Sequence, residues 1–155
     1  MESEELHALN RRYVAASSAA DGTYYRWAKR SGVTLHTLDL LYALDDGLPH
    51  SQKQICQDWL IPKTSLNTVV RSCREAGLLT TEPMPGSPRQ LQLCLTPAGM
   101  AYARRTLEEL YALENQAMAE TVEHFGPAFV EAVELYCSRF RTALENILKK
   151  DDNSP

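Results

Sequence analysis

Residues 51–77 read SQKQICQDWLIPKTSLNTVVRSCREAG. Ser51 and Gln54 stand at the spacing of a capping box, in which the serine hydroxyl accepts from the third backbone N–H and the glutamine reaches back to the cap. The short helix they open carries Ile55, Cys56 and Trp59 on one side. Leu60-Ile61-Pro62 breaks it, and Pro62 suits the first turn of a new helix, where a missing N–H costs nothing. That second helix is predicted to reach Ala76 and to end on Gly77 in the left-handed position. Within it Leu66, Val69, Val70 and Cys73 recur at i, i+3, i+4 and i+7, one continuous apolar stripe. The opposite side carries Thr64, Asn67, Thr68, Arg71 and Glu75, with Lys63 and Ser65 in the first turn.

Downstream, Leu78 to Glu82 and Gln90 to Leu95 read as two strands, the second alternating Leu91, Leu93, Leu95 against Gln90, Gln92, Cys94. Pro83-Met84-Pro85-Gly86-Ser87-Pro88 between them is too proline-rich for a helix and reads as the tip of a hairpin. Thr96-Pro97 then opens a long helix to about Glu123, with Thr96 as its cap. Gly126-Pro127 interrupts, a last helix runs to about Lys149, and Asp151 to Pro155 reads as a frayed tail. Upstream, a proline-free helix runs from about Glu4 to Arg30 and Gly32 ends it. Thr34 caps a further helix bearing Leu35, Leu38, Leu41, Tyr42 and Leu44, which Asp45-Asp46-Gly47 and Pro49 stop.

Two short helices across a tight turn, then a hairpin, make a winged helix-turn-helix unit. The predicted fold is mainly α with a small β-hairpin wing, in one domain over residues 1–155. Residues 34–99 form the winged part, with the helix-turn-helix at 51–76 and the wing at 78–96. Residues 4–31 and 97–149 form long flanking helices.

The polar side of the second helix carries what a major groove can read: amide pairs with adenine, hydroxyls with bases or phosphates, guanidinium with guanine or phosphate. Lys63, Thr64, Ser65, Asn67, Thr68 and Arg71 are the candidates. Arg89 on the hairpin can enter a narrow, negative minor groove with Gln90 beside it, unless a nearby carboxylate holds it as an ordinary surface arginine. Gln52 and Lys53 start the preceding helix, where free N–H groups can meet a phosphate. Charge agrees: residues 50–105 hold a local balance of +4, and the rest of the chain −8, within a net −4.

Composition, at 44% hydrophobic and 23% charged, is ordinary globular usage. The apolar stretches are too short to span a bilayer. The four cysteines, Cys56, Cys73, Cys94 and Cys137, form no C-x-x-C, and no secretory leader is visible, so reduced thiols in the cytoplasm are expected. His7, His36, His50 and His124 are dispersed, and no metal or cofactor is expected. No P-loop, nucleophile elbow, dinucleotide fingerprint or H-E-x-x-H motif occurs, so an enzyme is not expected. The rival reading is a winged module that docks a protein partner and binds no DNA.

The flanking helices carry more apolar surface than one winged unit can cover. Leu6, Leu9 and Tyr13 in the first, with Phe129, Val133, Tyr136, Phe140, Leu144 and Ile147 in the last, suit a two-fold dimer interface. Such symmetry sets two recognition helices roughly 34 Å apart, at successive major grooves.

The order and spacing of these pieces resemble the MarR (multiple antibiotic resistance regulator) family of bacterial transcription regulators. The resemblance runs from about Glu5 to Lys149. It is carried by Leu38 to Leu44, Gln54 to Trp59, Pro62 to Asn67, Gly77-Leu78-Leu79, and Leu91 to Thr96 followed by Gly99. It implies a homodimer on a pseudo-palindromic double-stranded operator, usually a repressor released by a small ligand or by oxidation. The family wing commonly carries Asp-x-Arg; here Ser87-Pro88-Arg89 keeps the arginine without the acidic partner, and Pro85 and Pro88 are the alternative stiffeners. Peroxide-sensing members carry their thiol in the first helix, where this chain has none. Cys56 and Cys73 lie on apolar stripes, as buried structural thiols do. A small aromatic or amphipathic effector is the default by resemblance, and Tyr24, Tyr25, Trp27, His36 and Tyr42 are candidates to line its pocket, or are plain core.

Overall fold

The computed structural model describes residues 3–152, without the side chains of Pro88, Asp151 and Asp152. The order is α1 (Ser3–Arg30), α2 (Leu35–Leu44), β1 (His50–Ser51), α3 (Gln52–Asp58), α4 (Lys63–Glu75), β2 (Leu79–Met84), β3 (Ser87–Leu95), α5 (Pro97–Phe125) and α6 (Ala128–Asp152). These residues fall into two compact units, one up to Leu110 and one from Tyr111 onward. Asp151 and Asp152, expected in a frayed tail, belong to α6; residues 153–155 lie outside the described residues.

Helix ends are set locally. Thr34 accepts from the Thr37 N–H at 3.1 Å and starts α2. Ser51 accepts from the Gln54 N–H at 3.2 Å while Gln54 Oε1 accepts from the Ser51 N–H at 2.8 Å, so the capping box is complete. Substituting Ser51→Ala removes one of these bonds and is expected to cost about 1 kcal/mol in chemical denaturation, with Ser51→Thr recovering most of it. At the end of α4, Gly77 adopts φ +70. The Leu78 N–H then reaches the Cys73 carbonyl at 2.9 Å and the Gly77 N–H the Arg74 carbonyl at 3.0 Å, a Schellman closure.

The core of the first unit gathers around α2, which packs on α1, α4 and β3. Leu40, Ala43 and Leu44 of α2 meet Ile55 of α3, Ile61 of the turn, the whole stripe Leu66, Val69, Val70 and Cys73 of α4, and Leu79 and Leu93 of the sheet. Leu40 and Ala43, absent from the periodic reading of α2, are buried because α2 is covered on several sides. Trp27 closes the other side, its indole N–H donating to the Thr106 carbonyl at 3.0 Å. The Arg30 guanidinium lies 4.8 Å over the Trp27 ring and meets Glu109 at 3.0 Å, but that pair is exposed and adds little stability.

The turn between α3 and α4 differs in detail from expectation. Trp59 is the C-cap of α3 and is partly exposed, its ring 5.3 Å from that of Tyr42. Leu60 adopts φ 51, a left-handed conformation costing about 1–2 kcal/mol for a branched residue, and swings Ile61 into the core. Pro62 is the N-cap of α4 rather than its first residue, and no side chain caps that end.

The wing is a three-stranded antiparallel sheet in the order β1-β3-β2, not a hairpin alone. His50 pairs with Leu93 and Ser51 with Gln92. The strands also reach further than expected, leaving only Pro85-Gly86 as the tip. Pro83 is tolerated because β2 is an edge strand. Of the alternating leucines, Leu93 is buried and Leu95 packs on the core, but Leu91 is exposed. In the second unit, Gly126 at φ +75 turns the chain into α6, none of whose described residues is buried.

Candidate nucleic-acid interface

Every apolar position of the α4 stripe is buried, which leaves its polar side outward. Lys63, Thr64, Asn67, Thr68 and Arg71 are exposed and Ser65 is half-buried. The uncapped N-terminus adds backbone N–H groups beside Lys63, a setting that favours an anion. Thr68 donates its hydroxyl to the Thr64 carbonyl at 3.1 Å, so its oxygen keeps accepting capacity.

The start of α3 joins this surface. Gln52 donates its side-chain amide to Asn67 Oδ1, tying the two helices together on their outward side. One shallow depression on this seam is lined by Gln52, Lys53, Cys56, Gln57, Lys63 and Asn67. A second is lined by Gln52, Asn67, Val70, Arg71, Arg74 and Glu75. Four cations thus frame the Gln52–Asn67 link, against the one carboxylate of Glu75. Arg74 and Gln57 were not among the sequence candidates. Arg74 was findable, since Asn67, Arg71 and Arg74 stand at i, i+4 and i+7 along one line of the helix. Cys56, expected buried, is half-buried on the wall of the first depression.

On the wing, the β2–β3 register jumps from Pro83↔Leu91 to Met84↔Ser87. Residues 88–90 are therefore looped out of the ladder, a bulge that re-aims a side chain. Arg89 and Gln90 are exposed on it, and Arg89 has no salt-bridge partner among the described residues.

A cavity of about 560 Å³ opens between α1 and α2, with Trp59 on its wall. Tyr24 and Tyr42 line it, together with Asp21, Leu35, Leu38 and Asp39. Trp27 does not; it is core, bonded to α5. Nor does His36, whose Nδ1 lies 3.5 Å from Asp39 Oδ2, and Tyr25 is exposed. Burial pushes the Asp39 carboxyl above its usual range and the Asp21 charge acts in the same sense, while His36 opposes both.

Burial raises the Cys73 thiol, and burial with the nearby Glu82 raises that of Cys94, the opposite of a reactive thiolate. No cluster of three or more His, Cys, Asp or Glu residues able to hold a metal occurs among the described residues. None of the described helices is long and apolar enough to cross a membrane.

Residues 31–90, which hold α2, the helix-turn-helix and most of the wing, match the family model described as MarR family. No curated protein matches the chain. Among solved structures, a MarR family regulator from Neisseria meningitidis is similar over 97% of this chain and 99% of its own, with a TM-score of 0.73 at 20% identity. The transcription regulator MarR from Oenococcus oeni is similar over 86% of this chain and 98% of its own, with a TM-score of 0.68 at 15% identity. NadR in complex with 4-hydroxyphenylacetate is similar over 85% of this chain and 91% of its own, with a TM-score of 0.65 at 15% identity. The chain is similar to the MarR family over residues 31–90 and shares the winged-helix fold of these solved regulators. In that fold α4 is the second helix of the helix-turn-helix and the β2–β3 hairpin is the wing.

Proposed function

We propose that this protein is a homodimeric transcriptional repressor that binds a pseudo-palindromic operator and is released by a small effector. Asn67, Lys63, Thr64, Ser65, Thr68 and Arg71 enter the major groove or grip its phosphates. Gln52, Lys53 and Arg74 hold the flanking backbone, and Arg89 with Gln90 reaches the minor groove. The observation that carries the reading is the Gln52–Asn67 link at the centre of an outward, cation-framed face whose opposite side is wholly buried. Residues 34–99 are the DNA-binding part, and residues 4–31 and 97–149 supply the dimer helices. Exposed Leu6 and Leu9 on α1, and Phe140, Leu144 and Ile147 on α6, favour that role, since apolar rows of this kind are costly to leave in water. Tyr13, Val133 and Tyr136 are half-buried and Phe129 is at the margin of exposure on the same helices. NadR holding 4-hydroxyphenylacetate supports a small effector for this fold.

The test is fluorescence anisotropy on DNA fragments recovered from a genome-wide footprint. Asn67→Ala and Arg89→Ala are each expected to weaken specific binding by about 1–3 kcal/mol, roughly ten- to a hundredfold. Arg71→Ala is expected to flatten the dependence of affinity on salt by about one phosphate contact. If Asn67→Ala and Arg89→Ala both bind as the parent does, the assignment is wrong. A docking module that reads no DNA shows no specific footprint at all.

A further inference from the structure

The cavity between α1 and α2 has an unusual charge balance. Asp21 enters from α1 and Asp39 from α2, and among the described residues no lysine or arginine lines it. Three aromatic rings complete it: Tyr24 from α1, Tyr42 from α2, and Trp59 from the end of α3. The Tyr42 and Trp59 rings are 5.3 Å apart and inclined at 56°, so their surfaces meet at a corner rather than stacking flat. Its volume of about 560 Å³ is that of a site for a small organic molecule.

We infer that this cavity binds an organic cation with an apolar body, such as an aromatic or alkylated ammonium. The inference rests on the reading above that the protein answers to a small effector, and supplies the chemical class of that effector. An anion placed here would leave water to face two carboxylates with no lysine or arginine in the lining and only the His36 imidazole beside Asp39, an unfavourable way to bury a charge. A cation meets the opposite situation. The carboxylates attract it, and the negative faces of Tyr24, Tyr42 and Trp59 replace its weak hydration shell. The half-buried Asp39 carboxylate, penalised by burial and by the Asp21 charge with only His36 to oppose them, gains a full positive charge beside it when the cation arrives. The chemistry thus differs from that of NadR, which holds a carboxylate-bearing phenol.

The cavity is also placed to matter for DNA. Its walls include α2 and the end of α3, and both helices pack directly on α4. A ligand wedged against Tyr42 and Trp59 bears on the two elements that hold the recognition helix.

The experiment is direct titration of the full chain, without DNA, by calorimetry and tryptophan fluorescence. The probes are benzyltrimethylammonium, its uncharged carbon isostere neopentylbenzene, and 4-hydroxyphenylacetate. The expected result is that the ammonium binds at least tenfold tighter than the phenol acid. Asp39→Asn and Asp21→Asn are each expected to weaken the ammonium at least fivefold while leaving the uncharged isostere unchanged. Asp21 is exposed, so that variant folds even if the Asp39 variant does not. Equal or tighter binding of the acid, or indifference of the ammonium to both substitutions, overturns the inference. Operator release is read separately. If the ammonium binds with the carboxylate dependence but does not release DNA, the cation site stands and the effector-released repressor falls.

Discussion

A variant carrying Phe140→Glu and Leu144→Glu is expected to lose operator affinity by about 10²–10⁴-fold while keeping its helical circular dichroism. The loss follows from the proposed dimer. With two half-sites bound by one particle, the second binding event is intramolecular; two separate protomers each bind half a site on their own. Phe140 and Leu144 are exposed in the single chain at 64% and 48%, and α6 buries none of its described residues, so two carboxylates there disturb no core. In a dimer the same carboxylates would be buried without partners, which costs several kcal/mol per charge. Light scattering reads the mass and anisotropy the affinity. A monomer that binds the full operator as the parent does, or a dimer that survives both glutamates, removes α6 from the interface.

The second large effect concerns folding. Gly99→Ala is expected to destabilise the protein by about 3 kcal/mol or more and to lower the thermal midpoint by about 10 °C. A Cβ on Gly99 would lie 1.9 Å from the Leu78 carbonyl oxygen and 2.9 Å from its carbon, atoms of backbone that cannot rotate away. That carbonyl is already held by the Thr96 N–H at 3.0 Å. The Thr96 hydroxyl in turn donates to the Gly77 carbonyl at 2.7 Å and accepts from the Gly99 N–H at 3.0 Å. The first turn of α5 is thereby stitched to the start of the wing, and any retreat breaks several of these bonds together. Gly22→Ala is the control. It sits in α1 with nothing within 4 Å of its added carbon, and is expected to stabilise by about 0.5–1 kcal/mol through helix propensity. Similar melting of the two variants would show that the Leu78 contact yields more readily than its geometry implies.

This stitch explains why Leu-Thr-x-x-Gly reads as a motif at all. Thr96 caps and the glycine admits a neighbouring backbone, but the second role is invisible without knowing that Leu78 is the neighbour. The same division runs through the molecule. The capping box at Ser51 and the Schellman closure at Gly77 are formed by residues three to five apart. The four-residue stripe of α4 is buried as its periodicity demands, and the face carrying Asn67 and Arg71 is outward by the same geometry. Those elements depend on short-range bonding and on one helical period, both written directly in residue order.

Other features depend on partners far away in the chain. β1 has only two residues, too few for any alternation, and exists because β3 offers a free edge some forty positions later. The wing bulge that re-aims Arg89 is a matter of ladder register, which strand composition does not specify. Tyr24 and Trp27 are one turn apart in α1, and their sequence spacing treats them alike. α5 takes Trp27 into the core through the Thr106 carbonyl and leaves Tyr24 to the cavity.

Residue order by itself therefore determined the helices, their caps and the polar face of α4, because each is a bargain among near neighbours. Tertiary packing alone decided the Gln52–Asn67 link, the bulge under Arg89 and the meeting of Asp21 with Asp39. Each of these joins residues from different elements or sets their register, and burial of the apolar stripes fixes that pairing only once every element has docked.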